Sequence, residues 1–334
     1  IFFDISKAFD KVWHKGLLIY INDIACDIHS IIKLFADDTS MYLCLNNTVQ
    51  RTDILNSDLE KITRWASKWK VNFNPLKTEL MTVTNRRVPS TLPLVFDMSV
   101  IQETDSHKHL GVVLQKDCKW DKHIQTVIAR CRVLISCLRS FKHRLSRKSL
   151  EIMYKSFIMP HFDFSDVVWD NCPCDLTEDL ENLHLDALRT IVGAVRGTSH
   201  QKLYDESGFT SLKTRRLRHK LILFFKIVNG NVPNYLHQLL PPLVASTNPY
   251  HARNPLERRI PFCRTELYKN SFFPSTTKAW NDLSDSIKCS TSLSCFKRYL
   301  LQTDTVVPPY FYIGPRVAQI IHCRLRLGMS NLGE

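Results

Sequence analysis

Glycine is scarce in this chain, nine residues in 334, and none of the nine forms a Gly-rich phosphate loop. The P-loop and dinucleotide fingerprints are therefore excluded, since both need closely spaced glycines to bring backbone N–H groups to a phosphate. No run of about 18 apolar residues occurs, so no membrane span is indicated. There is no internal repeat, no low-complexity segment and no Ser-His-Asp set. The eleven cysteines form no framework. "CPC" at Cys172 and Cys174 has the wrong spacing for a zinc knuckle, and no paired Cys or His motif follows it. An odd cysteine count without a signal-peptide pattern predicts an intracellular protein with reduced thiols, nucleus and cytoplasm being indistinguishable. The chain starts at Ile1 on an apolar run, which reads as a fragment.

What the chain has in excess is positive charge, a formal +13. A surplus of this size favours a polyanionic partner, most often nucleic acid, although a generic basic surface would look the same. The charge is clustered. Arg130 to Lys148 is rich in Lys and Arg and holds no acid, and "KTRRLRHK" follows at Lys213 to Lys220. Within these clusters Arg144, Arg147, Lys148, Arg215, Arg216 and Arg218 are the candidate phosphate contacts. Each alone is equally readable as a solvated surface charge, and the clustering is the signal.

The pattern changes along the chain. "IFFDI" reads as a short buried strand. "IIKLF" and "TSMYLCL" flank a turn-prone "ADD", which predicts a hairpin. Apolar residues at three- and four-residue steps predict a helix over 53–70. "NFNPLKTELMTV", "LPLVFDMSVIQE" and "KHLGVVL" read as turns and strands. From residue 119 the periodicity is helical, with candidates over 119–143, 146–158, 175–193 and 213–229. Soft boundaries fall near residues 116 and 250.

Asp37 and Asp38 sit side by side at the predicted hairpin tip. They are either solvated turn formers or half of a divalent-metal site, since hard cations take carboxylate oxygens and leave positions for substrate phosphates. Asp4, at the end of the first apolar strand, is a third carboxylate able to join them. Two ions about 4 Å apart would clamp the attacking and leaving oxygens of a phosphoryl transfer.

These residues carry a resemblance. "FFDISKAFDKVWHKGLL" is similar to the first catalytic motif of the reverse transcriptases of non-LTR (LINE- and jockey-like) retrotransposons. "LIYINDI" with "KLFADDT" resembles their FADD segment, and "NPLKTELM" and "KHLGVVLQKDCKWDKHI" resemble the motifs that close the palm. "YKSFIMPHFDFSDVVW", "LHLDALRTIVG" and "SFFPSTTKAWNDL" resemble the thumb and C-terminal region, in the family's order. The resemblance implies an RNA-directed DNA polymerase lineage working on an RNA template, a DNA primer and deoxynucleotides, with two Mg²⁺ ions and Mn²⁺ as an alternative. It implies that Asp4, Asp37 and Asp38 are the metal-binding acids, Asp38 being the less direct ligand. It implies that Phe9 blocks the sugar 2′-hydroxyl, and that Lys77 neutralises or protonates the departing pyrophosphate. A core Phe and a solvated turn Lys are the plain alternatives for the last two.

The chain also departs from the family. Asp4 and Asp37 are 33 positions apart, and the helix and "PQGS"-type motif expected between them are missing. The seam lies near Leu17-Leu18. The expectation is therefore an α+β fold: a partial, reduced palm of antiparallel sheet with helices over 1–116, a helical thumb-like region over 117–250, and a mixed C-terminal region over 251–334. A partial copy lacking the fingers and this segment is expected to be inactive by itself. The alternatives are a non-catalytic basic nucleic-acid-binding protein and a non-functional remnant. Oligomeric state is not legible.

Overall fold

The computed structural model describes residues 1–3, 24–25, 27–35, 38–44, 48–70, 73–74, 77–84, 94–247, 256–302 and 306–329. Helix and short sheets are mixed, as an α+β chain requires, and two compact units divide it, Ile1–His123 and Ile124–Glu334. No helix among the described residues is long and apolar enough to cross a membrane.

In the first unit the strands are β1 (Phe2–Phe3), β2 (Ile31–Phe35), β3 (Asp38–Tyr42), β4 (Glu79–Leu80), β5 (Val95–Phe96), β6 (Ser99–Val100), β7 (Gln102–Glu103), β8 (Ser106–His109) and β9 (Val112–Gln115). Five form a sheet in the order β2-β3-β1-β4-β7. All its pairings are antiparallel except β4 with β7. The predicted hairpin is present as β2 and β3, with Ile32 opposite Met41 and Leu34 opposite Thr39. β5 with β6 and β8 with β9 are two further hairpins. The tight turns between them run through Asp97-Met98 and Leu110-Gly111, all four at positive φ, the twist that two-residue hairpin loops require.

Side chains alternate across a strand, so the register divides the sheet into two faces. Phe3, Ile32, Leu34, Met41 and Leu80 belong to the core. The helix α1 (Thr48–Trp69) covers this side with Leu55, Leu59, Ile62 and Ala66, spaced four, three and four residues apart. Phe3, Phe73 and Phe96 meet there with ring centroids 5.2–5.6 Å apart. The opposite face carries Phe35, Asp38, Ser40, Phe2 and Glu79, in register across β2, β3, β1 and β4.

One buried carboxylate ties α1 to the entry of the hairpin. Asp58 accepts from the backbone N–H groups of His29 (3.1 Å) and Ser30 (2.8 Å) and from the Ser30 hydroxyl (2.7 Å). Its side chain is fully buried, with the Lys61 ammonium 3.6 Å away. Burial works to raise its pKa, but the hydrogen bonds from Ser30 and His29 outweigh it and hold the carboxyl below its ordinary value.

The second unit is helical. It contains α2 (Asp121–Ser140, entered from the first unit), α3 (Arg147–Met153), α4 (Met159–Asp163), α5 (Asp166–Trp169), α6 (Cys174–Val192), α7 (His200–Ser207) and α8 (Leu212–Val228). After several short turns come α9 (Phe272–Asn281), α10 (Leu293–Leu301) and α11 (Arg316–Arg326). The single helix expected over 146–158 is interrupted: a π turn over Tyr154–Ile158 links α3 to α4, and the Met159 N–H reaches back to the Tyr154 carbonyl. Ser146 and Ser211 cap α3 and α8 by accepting from the N–H groups of Ser149 and Thr214. Phe224 and Phe225 of α8 pack with Trp280 of α9 and Phe296 of α10, joining "SFFPSTTKAWNDL" to the helices before it. Gly193 ends α6 at φ +85°, and a Cβ there would lie 2.6 Å from Ile320 Cγ1 on α11. Only glycine fits that position.

Asp58 gives a stability signature with a definite sign. Its depressed pKa means its contribution is complete above the unfolded value of about 3.9 and is lost as pH falls from there through the lower folded value. At pH 7, Asp58→Ala is expected to lower unfolding free energy by about 2 kcal/mol. In urea titrations that gap should shrink below about pH 4; a gap independent of pH would contradict the role of the ionised carboxylate.

Candidate active-site cleft

The open face of the sheet leads into a cleft of about 430 Å³. β3 contributes Asp38, β1 contributes Phe2, and β4 contributes Glu79 with Lys77 just ahead of it. The β8–β9 hairpin closes one side with His107 and His109. "HKH" places these two imidazoles on one face of a strand because side chains repeat every second residue. His107 lies flat on Phe2, ring centroids 3.8 Å apart and planes 11° apart, and its Nδ1 is 2.6 Å from Glu79 Oε2. Burial pushes the His109 imidazole below its ordinary pKa; the Asp38 carboxylate works against this and His107 adds to it. Asp38 is thus within electrostatic reach of the hairpin.

Asp38 and Lys77, both picked out by the resemblance, line the same cleft. Asp4, Phe9 and Asp37, and the Leu17-Leu18 seam, lie outside the described residues. The structure does describe the strand ends next to them: Phe3, which precedes Asp4, is opposite Thr39, which follows Asp38. Sequence reasoning missed Phe2, Glu79, His107 and His109. The alternation in "TELM" and "SHKHL" was the available signal, but it pointed to strands without saying that they share one cleft.

The basic residues divide differently from expectation. Arg144 and Lys148 are exposed, and Arg218 is half-buried. Arg147 is buried, not a surface contact. Its Nε is 3.1 Å from Glu151 and its Nη1 2.9 Å from Glu206, with Phe311 and Tyr312 beneath the guanidinium. Arg326 also grips Glu206, at 2.6 and 3.0 Å. Arg215 holds Asp163 through two bonds of 2.6 and 2.7 Å. Arg216, buried, and Lys220 both hold Asp170 at 2.7 Å, and His219 Nδ1 is 2.5 Å from Asp166. "KTRRLRHK" is therefore largely an internal ladder: α8 sets cations against the acids of "DFSDVVWD", whose spacing puts them along neighbouring turns.

Asp163, Asp166 and His219 bring their ligand atoms within 4.8 Å of one another. Arg215 already neutralises Asp163 there, so the group has the chemistry of an ion-pair network. Burial raises the Asp166 carboxyl, partly offset by His219. Deeper in the same unit, His184 Nε2 faces the Thr210 carbonyl at 3.1 Å and so donates, which leaves Nδ1 to accept from the Tyr154 hydroxyl at 2.5 Å. Burial lowers the His184 pKa to about 4, so the ring stays neutral at physiological pH. The ten described cysteines are free thiols.

No protein-family model matches the chain. It is 27% identical over 169 residues to "RNA-directed DNA polymerase from mobile element jockey" of Drosophila funebris, covering 49% of this chain and 18% of that protein. It is 23% identical over 157 residues to "Probable RNA-directed DNA polymerase from transposon X-element" of Drosophila melanogaster, covering 46% and 17%. It is 23% identical over 177 residues to the corresponding protein of transposon BS, covering 51% and 20%. The chain resembles mobile-element reverse transcriptases. It spans about a fifth of the length of these curated relatives. The non-LTR motifs read from the sequence and these matches point to the same group.

The two kinds of basic residue should separate in unfolding experiments. Arg147→Ala strands Glu151 in the interior and is expected to cost about 3–5 kcal/mol. Arg144→Ala and Lys148→Ala should change stability by no more than about 0.5 kcal/mol. Guanidinium titrations of the three variants check this; equal effects would refute the division.

Proposed function

We propose that the first unit is a reduced reverse-transcriptase palm whose cleft is built to hold divalent metal, and that the helical unit is the thumb-like part that holds nucleic acid. The observation carrying the reading is that Asp38 and Lys77, chosen from motif resemblance alone, line one cleft beside the end of β1 that leads to Asp4.

The donor set fits a hard cation. Asp38 offers carboxylate oxygens, as Asp4 and Asp37 would, and such ions prefer oxygen ligands. A pair of bound divalent ions supplies charge neutralisation at the attacking and leaving oxygens of nucleotidyl transfer. The chain's own part is positioning. The β1–β3 pairing fixes where the first and second acid motifs start, and the core under Phe3 and Met41 makes that placement rigid. Lys77 places an ammonium where it would meet phosphate oxygens. His107, held by Glu79 and stacked on Phe2, would form the wall against which a strand end rests. Phe9 would exclude ribonucleotides by the same resemblance.

The "PQGS"-type motif is missing between Asp4 and Asp37, so template positioning is the part of the machinery not supplied here. This favours metal and nucleic-acid binding without efficient polymerisation by the isolated chain. The alternative of a purely basic binding protein predicts no metal site at all.

The test is Mn²⁺ binding followed by electron paramagnetic resonance, alongside primer extension on an RNA template. Wild type is expected to bind Mn²⁺, Asp38→Asn to bind about tenfold more weakly, and extension to remain at background. Absence of Mn²⁺ binding by the folded protein would sink the metal site. Extension abolished by Asp38→Asn would show the chain to be an active polymerase and overturn the inactivity.

A further inference from the structure

The second unit contains a cavity that neither the metal cleft nor the ion-pair ladder uses. It is about 600 Å³ in volume and lies where α2, α6 and α11 end. Arg139, Lys142, Arg189, Arg196 and Arg324 line it, with Asp186 the one carboxylate among the lining residues. Asp186 is already held by Arg139 at 2.5 Å.

Two guanidinium groups explain how such a concentration of charge is held in place. Arg316 donates to the Lys142 carbonyl (2.8 Å) and the Thr190 carbonyl (3.0 Å), and Arg324 donates to the Gly193 carbonyl (3.3 Å). These are groups at or just beyond helix C-termini, where cations are favoured. Capping accounts for those two arginines but not for the other cations. Among the described residues the Lys142 and Arg196 side chains make no hydrogen bond to a helix-end carbonyl, and Arg189 Nε is buried without a hydrogen-bond partner. The Lys142 ammonium is pushed below its ordinary pKa by burial and by Arg324, Arg316 and Arg139. Like charges crowded around a cavity are an unfavourable arrangement unless an anion enters it.

We propose that this cavity is a phosphate-binding pocket that receives a backbone phosphate of a nucleic-acid strand. Guanidinium groups recognise phosphate through paired N–H donors, and an ammonium adds a point charge. The chain's +13 charge favours a polyanion over a small metabolite as the source. The pocket draws in part on a cluster legible in the sequence: Arg139 and Lys142 belong to the basic run Arg130 to Lys148, while Arg189, Arg196 and Arg324 come from outside both clusters. The inference rests on the nucleic-acid part of the reading above and is independent of the metal cleft.

The experiment is a fluorescence-anisotropy titration of the full chain with a labelled single-stranded RNA, repeated across salt concentrations and with inorganic phosphate as competitor. Lys142→Ala/Arg196→Ala is expected to weaken RNA binding about tenfold and to flatten the slope of log Kd against log salt by about 1.4. Lys297→Ala/Arg298→Ala removes the same charge from exposed positions on α10 and should shift affinity less than about threefold. Asp186→Asn should tighten binding, which a purely structural role for the arginines does not predict. If the double variant fails to melt cooperatively, Arg196→Ala, at an exposed position, and Asp186→Asn carry the test. Equal shifts from pocket and control variants would overturn the proposal, as would a pocket that binds inorganic phosphate while RNA affinity is indifferent to the substitutions. Mn²⁺ binding should be unchanged in the pocket variants, so failure here and failure of the metal cleft are separable.

Discussion

The antiparallel register of β1 against β3 is the constraint on which the first unit depends. Phe3 opposite Thr39 and Phe2 opposite Ser40 commit consecutive residues to opposite faces. Phe3 is drawn into the aromatic cluster with Phe73 and Phe96, and Phe2 is left on the open side to receive His107. A shift by one residue would reverse both assignments and carry Asp38 towards the core. The helix α1, by covering one face, makes that error costly. The cleft is thus a by-product of where the hydrophobic residues must go.

In the helical unit the corresponding constraint is the disposal of charge. Arg147, Arg216, Lys220, Arg316 and Arg324 are all buried, a heavy load for interior packing. Each is accepted because carboxylates or helix-end carbonyls reach it, and aromatic faces shield Arg147 and Arg216. These pairs join segments far apart in the chain. Glu206 alone receives Arg147 from α3 and Arg326 from α11. The C-terminal helix is held through that carboxylate and through the close approach at Gly193.

This explains which parts of the molecule could be read in advance. The hairpin, α1, and the helices α2, α6 and α8 follow from local periodicity, and their bounds agree with expectation to within a few residues. Motif resemblance singled out Asp38 and Lys77, which line one cleft. The fate of Arg215 and Arg216, and the Glu206 partner that draws Arg147 inward, were not legible, because partners 46 to 59 residues away leave no local mark; only Arg147 with Glu151 has i,i+4 spacing. Composition reports how many charges exist, while pairing decides which of them remain for a ligand. The same limit hid Glu79 and His107, whose contact spans 28 residues and two strands. The π turn at Tyr154–Ile158 was invisible to a pattern that assumes uniform pitch.

β2 is the outermost strand of the sheet among the described residues, and it presents Ile31 and Phe35 to solvent. An apolar strand with an uncovered edge is a template for adding a strand from another molecule. Lys33 lies at its centre, exposed, between those two residues. A second copy paired antiparallel about Lys33 would set two ammonium groups opposite each other, and like charges directly opposite are destabilising. Charge at the centre of an edge strand is one of the ways such pairing is disfavoured.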